Sequence, residues 1–193
     1  MASRIEALRK LSYAPATEQH QGDFERQMEP GTSGRGACLL IVAQLENELE
    51  AAIVSAMPKM ALDVRAEMFE RDGPMATFAR KISMAAALGI IGPKTRSNLK
   101  IIRHVRNAFA HAKIPIDFDT DQVAKACEEL HMIDPTAPRS TQEYINVFEG
   151  ARPLFMDICA STMLMLYSFT GAEVTVPKGV SKLVSLAPKS PLP

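Results

Sequence analysis

Leu99-Lys100-Ile101-Ile102-Arg103-His104-Val105-Arg106-Asn107-Ala108-Phe109-Ala110-His111 is the stretch that decides the fold. Leu99, Ile102 and Phe109 recur at helical spacing and give one apolar stripe, on a helix predicted from about Pro93 to Ala112. Gly92-Pro93 opens it, since proline suits the first helical position, and Pro115 closes it. Arg106 falls on the same stripe, four residues after Ile102 and three before Phe109. A guanidinium facing a core is costly unless it is paired or opens to a cleft or an interface. Asn107 and His111 are four apart and share a helical face, which Arg103 extends as a polar row.

Outward from this segment, the punctuation marks further helices. Leu39, Val42, Leu45 and Leu49 form a stripe on a helix predicted over 35–57, with Glu46, Glu48 and Glu50 on its solvated side and Pro58 just past its end. A more acidic helix is predicted over 61–71, before the turn Asp72-Gly73-Pro74. Phe78, Ile82, Ala85 and Leu88 share a face of a helix over 75–88, with Gly89 as its stop. After Pro115, Asp119 followed by Gln122 reads as a capping box for a helix carrying Val123, Cys127 and Leu130. The last helix, predicted over 142–170, carries Phe148, Phe155, Ile158, Met165 and Phe169, with Pro153 expected to kink or divide it. Strand signals are nearly absent outside Val174–Val176. The expected fold is therefore an all-α helical bundle with short loops. Its organisation is a polar leader over 1–33, a bundle domain over 34–170 and an irregular, proline-rich tail over 171–193.

Composition agrees with one folded domain. The chain has 193 residues, 47% of them apolar and 23% charged, which is wrong for global disorder. Lys and Arg number 22 and so do Asp and Glu, so bulk charge draws no polyanion. The charge is segregated all the same. Between Pro74 and Ile116 stand eight basic residues and no acidic one: Arg80, Lys81, Lys94, Arg96, Lys100, Arg103, Arg106 and Lys113. Acid-rich stretches flank them. Such a segment is a solvated face pairing with its acidic neighbours, a phosphate-attracting patch, or half of a self-complementary dimer surface. Three cysteines, Cys38, Cys127 and Cys159, rule out a fully paired disulfide framework, and no Cys/His spacing suits zinc, so no metal and no cofactor is expected. No apolar run approaches the ~20 residues of a membrane span. The expectation is a cytoplasmic protein without a membrane partner.

Arg106-Asn107-Ala108-Phe109-Ala110-His111 resembles the R-x4-6-H signature of the HEPN superfamily (higher eukaryotes and prokaryotes nucleotide-binding). The wider chain, roughly 33–170, resembles the mannitol operon repressor family of small all-α proteins. The resemblance is carried by the Leu39–Leu49 helix, FARKISMAAALGII at Phe78–Ile91, LKIIRHVRNAFAH at Leu99–His111, DFDTDQV from Asp117 and EELHMID at Glu128–Asp134. The repressor resemblance implies a regulator acting through protein or nucleic-acid association, although the chain shows no helix-turn-helix pattern. The HEPN resemblance implies a metal-independent endoribonuclease. In that scheme His111 is general base or acid, Arg106 stabilises charge on the phosphoryl oxygens and Asn107 orients phosphate or imidazole. Lys100, Arg103 and His104 would then hold nucleic acid, RNA rather than sequence-read DNA. Residues 106 and 111 lie about 140° apart around an ideal helix, so either the helix distorts near His111, or Arg106 reaches around, or the site is completed across a dimer two-fold; the HEPN resemblance favours the homodimer. The plainer reading is that Arg106 is a structural arginine paired with Glu46 or Glu50, and that His111 complements the helix dipole.

Overall fold

The computed structural model describes residues 33–70, 72–132 and 150–170. Among them are helices α1 (Gly34–Ala56), α2 (Leu62–Phe69), α3 (Phe78–Ala87), α4 (Pro93–His111), α5 (Asp121–Glu128) and α6 (Ala151–Thr170), and no strand. The chain is an all-α bundle. The leader, the proline-rich tail, Val174–Val176 and the start of the last predicted helix, with Phe148, lie outside the described residues.

Helix α1 is central, and α3, α4 and α6 all pack against it. Its sequence allows this because Cys38, Ile41, Val42, Leu45, Leu49, Ala52 and Ile53 cover a broad arc, all of them buried. Helix α6 supplies Leu154, Phe155, Ile158, Cys159 and Leu166 to the same core. It is long and apolar enough to cross a membrane by length and composition, and here one side of it packs on α1. An aromatic chain joins three parts of the molecule. Phe118, in the connection after α4, stacks at 5.0 Å on Phe109 of α4 and at 5.2 Å on Phe155 of α6.

Helix ends follow local chemistry. Thr77 caps α3 by accepting from the Arg80 N–H, so the helix starts at Phe78 and not at residue 75. At the other end Gly89 takes φ +72°. The Gly89 N–H then bonds Ala86 O and the Ile90 N–H bonds Ala85 O, which is the Schellman arrangement a glycine permits. Pro93 stands at the first turn of α4. Three sequence expectations are corrected. Asp119 caps nothing: the N-cap is Thr120, one residue later, and α5 starts at Asp121, while the Thr120 hydroxyl accepts from the Asp117 N–H and closes the turn that precedes the helix. Pro153 does not kink α6: that helix starts at Ala151, close to the division expected there, and places the proline in its first turn, where its missing N–H has no partner to lose. Glu46, Glu48 and Glu50 are not a solvated side, since each meets a donor on another helix.

The three cysteines come from α1, α5 and α6 and are all buried as free thiols. Burial pushes Cys38 and Cys127 from 9.0 up to about 12, and Cys159 well above 9.0. For Cys38 the neighbouring Cys127 adds to the rise and Arg106 opposes it. A thiol whose folded pKa exceeds its unfolded one contributes stability that is whole below pH 9 and is lost as pH climbs through the folded value. Urea melts between pH 8 and 11 should therefore show stability falling steadily above pH 9. A chain with all three cysteines changed to Ala should show a flatter decline; an equal slope would refute the assignment.

Candidate functional site

Helix α4 has two working faces. Its inner face is apolar and buried through Leu99, Ile102, Val105 and Phe109, together with Thr95 and Asn98. Asn98 is fully buried and grips the chain after α5: its Nδ2 donates to His131 O (2.7 Å), and the His131 N–H donates to Asn98 Oδ1 (2.8 Å). These two bonds satisfy a buried carboxamide and fix α4 against the end of α5. The residue was not marked by the sequence, because its partner is a backbone unit 33 residues away.

Arg106 turns toward α1. Its Nη2 donates to Glu46 Oε2 (3.3 Å) and its Nη1 to Asn107 Oδ1 (3.1 Å). Glu46 is the start of a row of ion pairs. Its Oε1 meets Lys81 Nζ (3.1 Å), Lys81 meets Glu50 Oε2 (3.0 Å), and Glu50 Oε1 meets Arg65 Nη2 (3.3 Å). The network links α4, α1, α3 and α2. It is deepest at its middle, where the Lys81 side chain is 7% exposed, and opens to water at both ends, Arg106 at 31% and Arg65 at 41%. A cation buried between two carboxylates would be costly alone and is tolerated because both partners are in place. Arg106→Ala leaves Glu46 still bonded to Lys81, and water already reaches the guanidinium. The expected loss is about 1–2 kcal/mol in urea melts, below the 3–5 kcal/mol of a sealed pair.

Elsewhere on α1, Glu48 accepts from the Tyr167 hydroxyl of α6 (2.9 Å). Burial raises the Glu48 carboxyl above its usual range, and the tyrosine bond works against that rise. Burial first, then the Glu48 charge and the bond itself, raise the Tyr167 hydroxyl as well.

The outer face of α4 is a polar row. Arg96, Lys100, His104 and His111 are exposed, and Arg103 and Asn107 are half-buried along it. An Arg103 Nη2 lies 3.1 Å from His104 Nε2, while the Arg103 Nε is buried with no bond among the described residues. His111 ends α4, where a basic group complements the helix dipole. The helix stays regular through this turn, and the Ala112 N–H still bonds Ala108 O (2.9 Å). The chain beyond it is held by Arg35 of α1, whose Nη2 donates to Ala112 O (3.2 Å) and Ile114 O (3.3 Å).

Within one chain, Arg106 and His111 are thus not brought together. The guanidinium lies against Glu46 and the imidazole projects to solvent at the helix end. Asn107 and His111 do share the open row with Lys100, Arg103 and His104. Sequence reasoning did not single out Lys81, Glu50 and Arg65 as one network; the only signal for it was the run of acids on α1 facing a helix with no acid of its own. Among the described residues no group of three or more His, Cys, Asp or Glu side chains could hold a metal ion.

No protein family profile and no curated protein matches this chain. Among solved structures it is similar to a chain in the X-ray structure of the MtlR–HPr complex from Escherichia coli. The two share 16% identity over 78% of this chain and 95% of that chain, with a TM-score of 0.50. The fold is therefore MtlR-like.

Proposed function

We propose that this chain is a cytoplasmic regulatory protein of the mannitol-repressor-like kind, a homodimer that works by association with an anionic macromolecule and without a helix-turn-helix. Its working unit is the bundle over 34–170, with 1–33 as leader and 171–193 as tail. The observation that carries the reading is the outer face of α4, where a row of donors projects to solvent from a helix without a single carboxylate. A field of one sign on a fixed surface raises the local concentration of oppositely charged partners and speeds their encounter. A protein partner is supported by the fold neighbour, which was solved in a complex with HPr. The deciding experiment compares wild type with Arg96→Glu/Lys100→Glu, both exposed, in binding to anionic probes (RNA, DNA and an acidic polypeptide) at 50 and 200 mM salt. Binding that weakens with salt and is lost in the variant, with an unchanged melt, supports the reading. Wild-type protein that binds none of the probes at either salt overturns it. Sedimentation at micromolar concentration tests the dimer.

One observation favours a second reading, a HEPN-type endoribonuclease using Arg106, Asn107 and His111. Asn107 and His111 stand one turn apart on the open row, where an imidazole is reachable by a phosphodiester. A phosphate would have to compete with Glu46 for Arg106, or reach it from the exposed side. Incubation with cellular RNA in chelator at pH 6–8 tests this reading. Fragments ending in 2′,3′-cyclic phosphate, absent with His111→Ala, support it; intact RNA counts against it.

A further inference from the structure

Six side chains of α4 point the same way: Arg96, Lys100, Arg103, His104, Asn107 and His111. They fall within roughly 100° of arc and run about 22 Å along the helix. None of the three cations meets a carboxylate among the described residues, and the sequence holds no acid between Pro74 and Ile116. The row is also rigid. Its helix is pinned from behind by Leu99, Ile102, Val105 and Phe109 and by the Asn98 clamp on His131, so a ligand orders side chains only and no backbone.

The composition of the row selects the partner. It carries no Phe, Tyr or Trp and no aliphatic anchor. The centre of a protein–protein interface is depleted in charge and built on such anchors, whereas protein–nucleic-acid interfaces are polar and positively charged. Single strands are held by successive bases stacking on aromatic side chains, and the row offers no Phe, Tyr or Trp and only two imidazoles, seven residues apart. A straight array of donors instead suits the outside of a duplex. The row is also divided. Arg96, Lys100 and Arg103 are fixed cations at its first half, suited to phosphates. His104, Asn107 and His111 continue it with an imidazole, a carboxamide and another imidazole, groups that exchange hydrogen bonds with hydroxyls. The wide, shallow minor groove of A-form RNA displays phosphates and 2′-hydroxyls side by side, and DNA lacks the second set.

We infer that the outer face of α4 docks on double-stranded RNA, with phosphates on Arg96, Lys100 and Arg103 and ribose 2′-hydroxyls on His104, Asn107 and His111. This rests on the association face proposed above and names its partner. Binding is independent of base sequence, because the phosphates and 2′-hydroxyls that the row meets are the same on every RNA duplex, and the deep major groove is closed to side chains.

The test is fluorescence polarisation of the full chain with labelled 20-base-pair RNA duplexes of two unrelated sequences. The matching DNA duplex, single-stranded RNA and labelled polyglutamate are measured alongside. The two RNA duplexes should bind alike, and both more tightly than DNA or single strands. The logarithm of affinity should fall with the logarithm of salt at a slope of about −3, one unit per cation. Lys100→Ala should cost about tenfold at 0.1 M salt and reduce the slope by about one. His104→Ala with His111→Ala should lower RNA affinity and leave DNA affinity unchanged, closing the gap between them. Equal binding of RNA and DNA duplexes by wild type overturns the hydroxyl contacts and with them the inference, as does tighter binding of single strands. Polyglutamate bound through Lys100 with no duplex bound overturns the inference and leaves the association face standing. Failure of every probe overturns both.

Discussion

Lys81→Met is expected to lower the stability of the chain by about 3 kcal/mol, at the lower end of the range for breaking a buried pair. The side chain is 7% exposed and its ammonium lies 3.1 Å from Glu46 and 3.0 Å from Glu50. Removing it leaves two carboxylates facing one another across a site largely withdrawn from water. The loss stays near the lower limit because Glu46 keeps Arg106 and Glu50 keeps Arg65. For a chain of this length the midpoint of thermal unfolding should fall by about 6–12 °C. The second half of the prediction separates charge from packing. Adding Glu46→Gln and Glu50→Gln to Lys81→Met should recover most of the loss, since the carboxamides need no counter-ion and both arginines are open to water. A triple variant no more stable than Lys81→Met would show that the lysine stem, and not its charge, holds α3 to α1.

That network also shows where the sequence is legible. The spacing of Leu99, Ile102 and Phe109 marks the inner face of α4, and all three are buried. The same spacing places Arg106 on the core side, and of the two carboxylates that the plainer reading names for it, Glu46 and Glu50, it meets Glu46. Gly89 and Pro93 mark helix limits because their backbone chemistry is local. The acids of α1 are misread as solvated for the opposite reason. A helix that is surrounded on several sides buries more than one stripe, and its acids then depend on donors, Lys81 and Tyr167, that are far away in sequence. The Asn98 clamp is hidden in the same way. Periodicity reports which face of a helix is apolar; it carries no information about which polar group on another element completes a buried one.

The same distinction separates the two faces of α4 in function. On the inner side every charge is matched, so Arg106 stabilises the bundle and its charge is largely offset before any ligand arrives. On the outer side Arg96, Lys100 and Arg103 remain unmatched among the described residues, which leaves their field available to an anion. A substitution on one face should therefore register in melts and one on the other face in binding. The two readouts test separate claims about a single helix.

Phe118→Ala should be the most damaging single change, at about 5 kcal/mol. Phe118 is 1% exposed and lies between Phe109 and Phe155, with ring centroids 5.0 and 5.2 Å away and both pairs tilted. Truncating a buried phenylalanine costs about 3–5 kcal/mol through lost transfer energy and the cavity left behind. Two aromatic pairs lost together, each worth about 0.5–1.5 kcal/mol, place this site at the top of that range. The damage is also positional. Phe118 anchors the connection between α4 and α5, and its N–H donates to the Asp117 carboxylate (2.8 Å). That carboxylate stands against Gly34, where a Cβ would collide with it, so the start of α1 and the end of α4 are packed through one short segment. Amide exchange should therefore quicken first in the last turn of α4 and the first turn of α1, while the α3 amides beside Lys81 keep their protection. Phe118→Leu keeps most of the volume and should cost about 1–1.5 kcal/mol. If Ala and Leu cost the same, the aromatic contacts and the cavity are not what secures this connection; if exchange quickens uniformly, it is no more than one part of the common core.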